Sequence, residues 1–299
     1  MLRRNSSFVK FARPFYRRLR TEYLKRRYPR GHFIDATGVP VFCDFFDPSY
    51  VWYDADSDYL QFHKSVLEAL IRQSTGNVFV DVGAHFGFYA AFIAAAVRRE
   101  DRPAVIIAVE PDRHHFACLA RTAERFDGNG VRADLVAAAV SDRNGVLSLY
   151  KTEASCLHSY AEGAGAVGCY DVPATTLDTL IETRLSPSDR VAMIKVDVDG
   201  AEPFVIDGWR ETMKRYAPIV LTEFSPAAVS AAGRDPRALF FQLCDEFSVS
   251  HVDHHHTRVH RVGRDDYEGL AALVGGGVTD LVLTAAPLTL PGVSSGPDG

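Results

Sequence analysis

The sequence lacks the features that mark secreted and membrane-spanning proteins. Its five cysteines include no CxxC pair and are widely spaced, which argues against a disulfide framework and against a zinc ribbon. No run reaches the roughly 18 apolar residues that a spanning helix needs, and the N-terminus has no apolar signal core. With 47% hydrophobic and 24% charged residues, the composition is that of a globular protein. We therefore expect a soluble protein of the reducing cytoplasm.

Acidic residues are almost missing from the first 30 positions, whereas they exceed basic residues afterwards. Residues 1–30 contain eleven Lys or Arg and one acid, Glu22, which leaves 22 basic and 37 acidic side chains in the rest of the chain. Because phosphate neutralisation dominates nucleic-acid binding, this acidic body argues against a nucleic-acid partner. The basic arm, residues 1–30, interleaves aromatic and leucine residues at spacings of three and four, which predicts an amphipathic helix. Packing of that helix on the domain and contact with an anionic membrane surface both stay open.

The segments after the arm predict an extension, an α/β domain and a tail. Residues 31–75 form the extension, with a hairpin around Thr37 and Gly38 and a helix that ends before Gly76. Residues 76–285 alternate short apolar runs with helical segments, which is typical of βαβ units. We predict an α/β fold with a doubly wound, seven-stranded, Rossmann-like sheet and helices on both faces. Residues 286–299 are rich in Pro, Gly and Ser and are expected to be disordered.

The densest signal is a glycine-containing turn between a buried strand and a helix, with the sequence VFVDVGAHFG over residues 78–87. Gly83 and Gly87 allow the backbone to approach a ligand closely, and the N-terminus of the following helix offers amides to a carboxylate. The turn has neither the GxGxxG of a dinucleotide site nor the Gly-Lys-Ser/Thr of a Walker loop. We predict a nucleotide-type site in which Asp81, Gly83, His85 and Gly87 bind the cofactor.

Two further strand ends carry carboxylates that complete an adenosyl site. Glu110 follows the next predicted strand, where a carboxylate accepts hydrogen bonds from both hydroxyls of a ribose. Asp142 follows a strand predicted over Ala133–Val140 and is expected to reach an adenine amine. One such acid is ordinary on a protein surface, but acids that follow consecutive strands in order indicate one shared ligand.

With these motifs the chain resembles the FkbM-type methyltransferases, a branch of the class I S-adenosylmethionine-dependent enzymes. The resemblance covers residues 76–283 and is most specific over residues 195–202. It implies the methyltransferase form of the sheet, S-adenosylmethionine as cofactor, and O-methylation of a hydroxyl on a sugar, a glycan or a secondary metabolite. Two positions depart from the family: His85 replaces the usual Asn, and Asp199 replaces the usual Glu. The motifs are VDVGAHFG (80–87), VEP (109–111), AVSD (139–142), TLD (176–178), IKVDVDGAE (194–202) and VLTE (220–223).

Three residues of the most specific motif are predicted to be catalytic. Methyl transfer to an alcohol requires an oriented acceptor oxygen and removal of its proton. Asp197 closes the strand expected nearest the transferring methyl and is predicted to be the base or the orienting group, although it could instead cap the turn that follows. Glu202 is a second candidate, at a helix start where the dipole alone also favours a carboxylate. Lys195 is predicted to be buried and paired with Asp197 or Glu223.

The sequence assigns no metal ligands, but two arrangements stay open. His254 and His256 could share one face of a strand, with Asp253 orienting one of them. Magnesium held by Asp197 and Asp199 is the other arrangement.

Two other functions also stay open. An NAD-dependent oxidoreductase uses the same kind of sheet with an acidic ribose-binding residue, and a non-catalytic module could retain the adenosyl site. The expected partner is a small-molecule or glycan acceptor, and the sequence gives no oligomeric state.

Overall fold

A computed structural model describes residues 19–36, 38–52, 58–152, 158–159, 166–254 and 256–288. Residues 1–18 of the predicted arm and 289–299 of the predicted tail lie outside them. The described end of the arm is helix α1, over residues 19–27, in which Leu24 packs against the core while Leu19 and Tyr23 are exposed. No helix of the described residues is long and apolar enough to cross a membrane. Contact of the arm with a membrane surface stays a prediction.

The extension contains the predicted hairpin and helix. Strands β1 (His32–Ala36) and β2 (Val39–Cys43) pair antiparallel, and a 3-10 helix over Pro48–Trp52 leads towards helix α2 (Asp58–Gln73). In β2 the alternate residues Val39, Val41 and Cys43 are buried, as expected for a strand with one face on the core. These residues belong to the same hydrophobic cluster as the central sheet, so the extension and the sheet share a core.

The remaining strands form two sheets. An eight-stranded central sheet has the order β13-β12-β14-β11-β10-β3-β4-β5, and a four-stranded sheet has the order β6-β9-β7-β8. The neighbouring strands β11, β10, β3, β4 and β5 of the central sheet are parallel, and β14 pairs antiparallel with β11. The strands are β3 (Val78–Val82), β4 (Ala104–Val109), β5 (Val131–Val136), β6 (Ala139–Val140), β7 (Gly145–Thr152), β8 (His158–Ser159), β9 (Ala166–Thr175), β10 (Val191–Val196), β11 (Ile219–Phe224), β12 (Ser248–Asp253), β13 (Arg258–Val262) and β14 (Thr279–Thr284).

The α/β class with a Rossmann-like sheet is confirmed, and the central sheet has eight strands among the described residues where seven were predicted. The eighth strand, β13, pairs with β12 at the edge of the sheet. Only Val259 is buried in β13, because its neighbours Arg258, His260 and Arg261 face outwards or lie at the rim. Because β13 is a charged edge strand, its sequence has no apolar run from which the strand could be predicted.

The second sheet corrects one predicted strand. The strand predicted over Ala133–Val140 is two strands, because the central strand β5 ends at Val136 and β6 joins β9 in the other sheet. Strand β7 pairs with β9 and also lies outside the central sheet.

Helices cover both faces of the central sheet. Residues 202–216 form two helices that are separated near Gly208, where a Cβ atom would lie 2.3 Å from the carbonyl oxygen of Ser141. The helices are α3 (Phe88–Arg99), α4 (Arg113–Ala123), α5 (Leu177–Arg184), α6 (Glu202–Asp207), α7 (Arg210–Tyr216), α8 (Pro226–Ala231), α9 (Pro236–Glu246) and α10 (Tyr267–Val274). Helices α2, α3 and α4 pack on one face of the sheet and α5 to α10 on the other.

Strand alternation assigns each strand residue to one of these faces. In β10, Met193 belongs to the cluster with α2 and α3, whereas Ile194 and Val196 belong to the opposite cluster. Lys195 therefore points to the side of α2 and α3, as period-two alternation requires. The same reasoning puts Asp81 of β3 on that side, because its neighbours Val80 and Val82 belong to the opposite cluster.

Candidate active site

The glycine turn joins the end of β3 to α3 and presses against the neighbouring strand ends. The amides of Gly83 and Ala84 donate to the carbonyl oxygen of Val109, at 3.0 and 2.9 Å. Gly83 has a φ of 79°, and a Cβ there would lie only 1.8 Å from the carbonyl oxygen of Asp197. Gly83 must therefore be glycine because the loop after β10 occupies the space of a side chain, and this contact fixes Asp197 beside the turn.

Glu110 follows β4 and holds the outer side of the turn. Its carboxylate is 5% exposed and accepts the amide of His85 on Oε2 at 2.8 Å and the amide of Asp112 on Oε1 at 2.9 Å. Each carboxylate oxygen has a second lone pair, which suits the two hydroxyl donors of a ribose. The predicted ribose-binding role thus fits the position of Glu110.

Lys195 is buried in the middle of the site. It is 2% exposed, its register partner on β3 is Asp81, and its ammonium pairs with the carboxylate of Asp197. The ammonium also lies 4.0 Å from the ring centroid of Tyr89, at the start of α3. Burial alone would lower the pKa of Lys195, but the charges of Asp197 and Asp81 outweigh it and raise that pKa. The predicted pairing of Lys195 with Asp197 is confirmed, and the lysine is a cation.

Asp81 lies beneath this pair and is fully buried. Its Oδ2 atom accepts the amide of Ala90 at 3.1 Å, while Oδ1 has no hydrogen-bond partner among the described residues. Burial raises the pKa of Asp81 to about 6, although the charge of Lys195 opposes the shift. A buried carboxylate oxygen without a donor is costly, so a ligand that brings a donor would stabilise it.

Asp197 is the most accessible of the three predicted catalytic residues, with a side chain 34% exposed. It follows β10 directly, and its amide donates to the carbonyl oxygen of Val82 at 3.0 Å. The turn after it is held by Glu202, whose Oε1 accepts the amides of Val198 at 3.0 Å and Gly200 at 3.4 Å. Glu202 therefore does the capping considered for Asp197, which leaves Asp197 facing the open edge of the sheet.

Glu202 and its neighbours make this edge strongly acidic. Glu202 is 2% exposed, its Oε2 has no partner among the described residues, and burial raises its pKa to about 7. Burial, reinforced by the charge of Asp197, also raises the pKa values of Asp199 and Glu223 well above their usual range. Such shifts cluster at functional sites, although structural networks cause them too.

Asp142 is the predicted residue that the structure does not join to this group. It follows β6 of the second sheet, and its described contacts are with Ser141 and Arg143. The strand that adjoins Glu110 in the central sheet is β5, because the amide of Glu110 donates to the carbonyl oxygen of Val136 at 3.0 Å. The assignment of Asp142 to the adenine amine remains a prediction.

His85 belongs to a polar cluster that the sequence did not predict. Its ring contacts the hydroxyl of Ser49 at 3.1 Å and lies 4.1 Å from the ring of His115. His115 in turn contacts Asp47 at 3.0 Å and lies 3.8 Å from Glu110. Burial alone would lower the pKa of His115, but the hydrogen bond to Asp47 and the nearby charge of Glu110 outweigh it and raise the pKa to about 9. The 3-10 segment of the extension thus covers the outer end of the site.

Two groups of described residues bring possible metal ligands within 4.8 Å of one another. One contains Asp197, Asp199 and Glu223, which extends the pair predicted from the sequence. The other contains His63, His254 and Asp280. The arrangement left open for His254 and His256 is not the one observed, because His256 contacts Asp253 at the surface whereas His254 turns inwards to Asp280.

A separate cavity of about 790 Å³ lies between the hairpin and α4. Its lining includes Arg30, Phe33, Phe42, Arg121 and Arg125, and none of the predicted site residues. It is therefore distinct from the edge that carries Asp197.

The fold and the site together define a class of enzyme. A largely parallel sheet with a glycine turn after β3, an acid after β4 and an aspartate after β10 is the class I S-adenosylmethionine-dependent methyltransferase arrangement. Residues 81–259 match the family described as the Methyltransferase FkbM domain. The chain belongs to the FkbM methyltransferases, as its motifs predicted, and S-adenosylmethionine is the cofactor of this class.

Three solved structures that this chain is similar to are distant from it in sequence. The methyltransferase FkbM from Methylobacillus flagellatus KT is 15% identical over 77% of this chain and 55% of that chain, with a TM-score of 0.45. The O-methyltransferase from Bacillus cereus in complex with SAH is 12% identical over 75% and 80%, with a TM-score of 0.41. SAH-bound PaMTH1 from Podospora anserina is 15% identical over 69% and 68%, with a TM-score of 0.35. This chain spans about half the length of the first of these, and no curated protein matches it.

The residues present fit S-adenosylmethionine. Glu110 has lone pairs for the ribose hydroxyls, and the buried Oδ1 of Asp81 lacks a donor among the described residues. Glu110, Asp81 and the turn at Gly83 would therefore hold it.

Proposed function

We propose that this chain is an O-methyltransferase that acts on a hydroxyl of a sugar, a glycan or a secondary metabolite. The observation that carries the proposal is the contact of Gly83 with the backbone of Asp197. A Cβ on Gly83 would lie 1.8 Å from the carbonyl oxygen of Asp197, so the cofactor turn and the predicted base are held together. Effective catalysis of group transfer depends on such fixed proximity.

S-adenosylmethionine supplies an electrophilic methyl group on a sulfonium centre when it is bound. Asp197 is suited to accept the proton of an acceptor hydroxyl, because its side chain is 34% exposed and follows the strand beside the cofactor turn. Lys195 fixes the Asp197 carboxylate by pairing with Oδ2. Glu202 acts as a positioning residue, since it binds the amides of Val198 and Gly200 in the turn that carries Asp197.

The charge of the edge favours a neutral or cationic acceptor. Asp197 lies close enough to Asp199, Glu202 and Glu223 to raise their pKa values, and Lys195 is the cation paired with Asp197. An anionic acceptor such as a nucleic acid would be repelled. A neutral sugar or polyketide hydroxyl carries no such penalty.

A direct test incubates the protein with S-adenosylmethionine and a panel of neutral glycans, monosaccharides and hydroxylated metabolites. Mass spectrometry detects the gain of a methyl group, and NMR of the product identifies the methylated atom. We expect Asp197→Asn to lower kcat by about 100-fold or more while S-adenosylhomocysteine still binds. Asp207→Asn is the matched control, because Asp207 is an exposed carboxylate on α6 that pairs with Arg234.

Two outcomes would contradict the proposal. Methylation at nitrogen or carbon would exclude the assigned reaction. Full activity of Asp197→Asn on a hydroxyl acceptor would exclude Asp197 as the base.

A further inference from the structure

Three side chains from distant parts of the chain form a polar cluster that does not include the predicted base, Asp197. His63 lies on α2, His254 follows β12, and Asp280 lies on β14. Nδ1 of His63 is 3.4 Å and Nε2 of His254 is 2.7 Å from Oδ2 of Asp280. The three side chains are 4%, 9% and 10% exposed. His63 and Asp280 lie outside the residues 81–259 that match the family.

We propose that His63, His254 and Asp280 bind a divalent transition-metal ion, for which Zn²⁺ is the natural probe. Two imidazoles and one carboxylate form a ligand set typical of zinc and related ions, and hard ions such as Mg²⁺ prefer oxygen ligands alone. The three ligand atoms lie within 4.8 Å of one another. A tetrahedral ion with bonds of about 2.0–2.1 Å separates its ligands by about 3.3 Å, so the separations between ligand atoms would have to change by at most about 1.5 Å.

The surroundings of the two histidines resemble those of metal ligands. Nε2 of His63 contacts the hydroxyl of Tyr89 at 2.8 Å, which directs Nδ1 towards Asp280. Such a bond from the second ring nitrogen fixes the tautomer of metal-binding histidines. The rings of His63 and His254 stack at 5.3 Å, and Phe62 packs edge-on against His254 at 5.8 Å.

Paired histidines could instead neutralise a buried aspartate without a metal. In that case the histidines would be protonated, whereas only a neutral imidazole binds a metal ion. Stoichiometric binding separates the two cases, because a purely structural triad takes up no ion.

The site would be coupled to methyl transfer, and this step rests on the proposed function. Three protein ligands leave a fourth position for water or for an acceptor oxygen. Tyr89 connects the two sites, because its hydroxyl contacts His63 and its ring lies under the ammonium of Lys195, which pairs with Asp197. Asp280 is also the register partner of Glu223 on the neighbouring strand.

The test titrates the chelator-stripped full chain with Zn²⁺ against a chromophoric chelator, without acceptor or cofactor. Co²⁺ then reports the geometry through its visible spectrum. We expect one equivalent to bind, Asp280→Asn and His63→Gln to weaken binding by roughly 100-fold or more, and Tyr89→Phe to weaken it by about tenfold. His256→Ala is the matched control, because that histidine is exposed and neighbours the same strand.

Far-UV circular dichroism and binding of S-adenosylhomocysteine show whether each variant folds. If a variant does not fold, His254→Gln is used in its place, because the ring of His254 lies nearer the surface than that of His63. Failure of Zn²⁺ to bind at one equivalent, or equal affinity in the wild type and in folded Asp280→Asn or His254→Gln, would overturn the proposal. Loss of binding in His256→Ala with His63→Gln unaffected would overturn it too, because the ion would then sit on the surface turn. None of these results depends on methyl transfer.

Discussion

Gly83→Ala tests whether position 83, in the turn after β3, requires glycine because of packing or only because of its backbone conformation. At a φ of 79° an alanine incurs the left-handed penalty of about 1–2 kcal/mol. A smaller unfolded-state entropy offsets about 0.4–1 kcal/mol of it. Gly233 has a φ of 78°, and nothing lies within 4 Å of the position that a Cβ would occupy there, so Gly233→Ala incurs only these two effects. We expect it to destabilise the protein by about 1 kcal/mol.

The Gly83 substitution adds a clash that the control lacks. Its Cβ would lie 1.8 Å from the carbonyl oxygen of Asp197, whereas ordinary contact begins at 3.4 Å. The loop after β10 must therefore move by more than about 1 Å, which weakens the bond from the amide of Asp197 to Val82. Overpacking of this kind costs about 1–3 kcal/mol more, so we expect a total loss of about 2–4 kcal/mol.

Urea denaturation followed by circular dichroism measures both free energies of unfolding, and calorimetry measures the affinity of S-adenosylhomocysteine. Displacement of Asp197 by more than about 1 Å should also lower kcat by about 100-fold in the folded fraction of Gly83→Ala. If the two alanine variants lost equal stability and retained equal activity, the packing argument would be refuted.

Three further predictions concern buried charge, and urea denaturation measures each one. In Lys195→Met, Asp81 and Asp197 lose their cation, so stability should fall by about 3–5 kcal/mol, and Asp81→Asn in the same chain should recover part of it. The pKa of Glu202 is raised to about 7, so its stabilising protonated form is lost as the pH rises from 4.5 through 7. Relative to Glu202→Gln, the wild type should lose up to about 3 kcal/mol over that range, and parallel curves would contradict this. The pKa of His115 is raised to about 9, so its contribution is complete below pH 6.5 and is lost as the pH rises through 9. His115→Gln should remove that loss, and an unchanged pH dependence would show that His115 is neutral.

Prediction from the sequence succeeded where one strand end carries its own signal. The turn at Gly83, the acid at Glu110 and the pair of Lys195 with Asp197 each lie within one or two residues of a strand, so local spacing sufficed. Asp142 shows the limit, because the strand before it leaves the central sheet at Val136. The two alanines between β5 and β6 gave no sign in the sequence that the strand ends there, because the break depends on which strands β5 and β6 pair with.

The parts that could not be predicted depend on contacts between distant segments. His63 and Asp280 lie far apart in the chain and carry no motif, yet Nδ1 of His63 lies 3.4 Å from Oδ2 of Asp280. The pKa of His115 is raised by its contact with Asp47, which lies in the extension. A periodic pattern reports which face of an element is buried, but it does not report what that face meets.

Register explains why the charged groups collect on one face of the sheet. Lys195 is the partner of Asp81 on one side and of Leu221 on the other, and Glu223 is the partner of Asp280. These positions follow the period-two alternation that sends Ile194 and Val196 into the opposite, apolar layer. A shift of β10 by one residue would bury Lys195 among those apolar side chains and expose Ile194 to the acids. The cofactor turn and the predicted base therefore depend on one strand register, which the contact of Gly83 with Asp197 helps to fix.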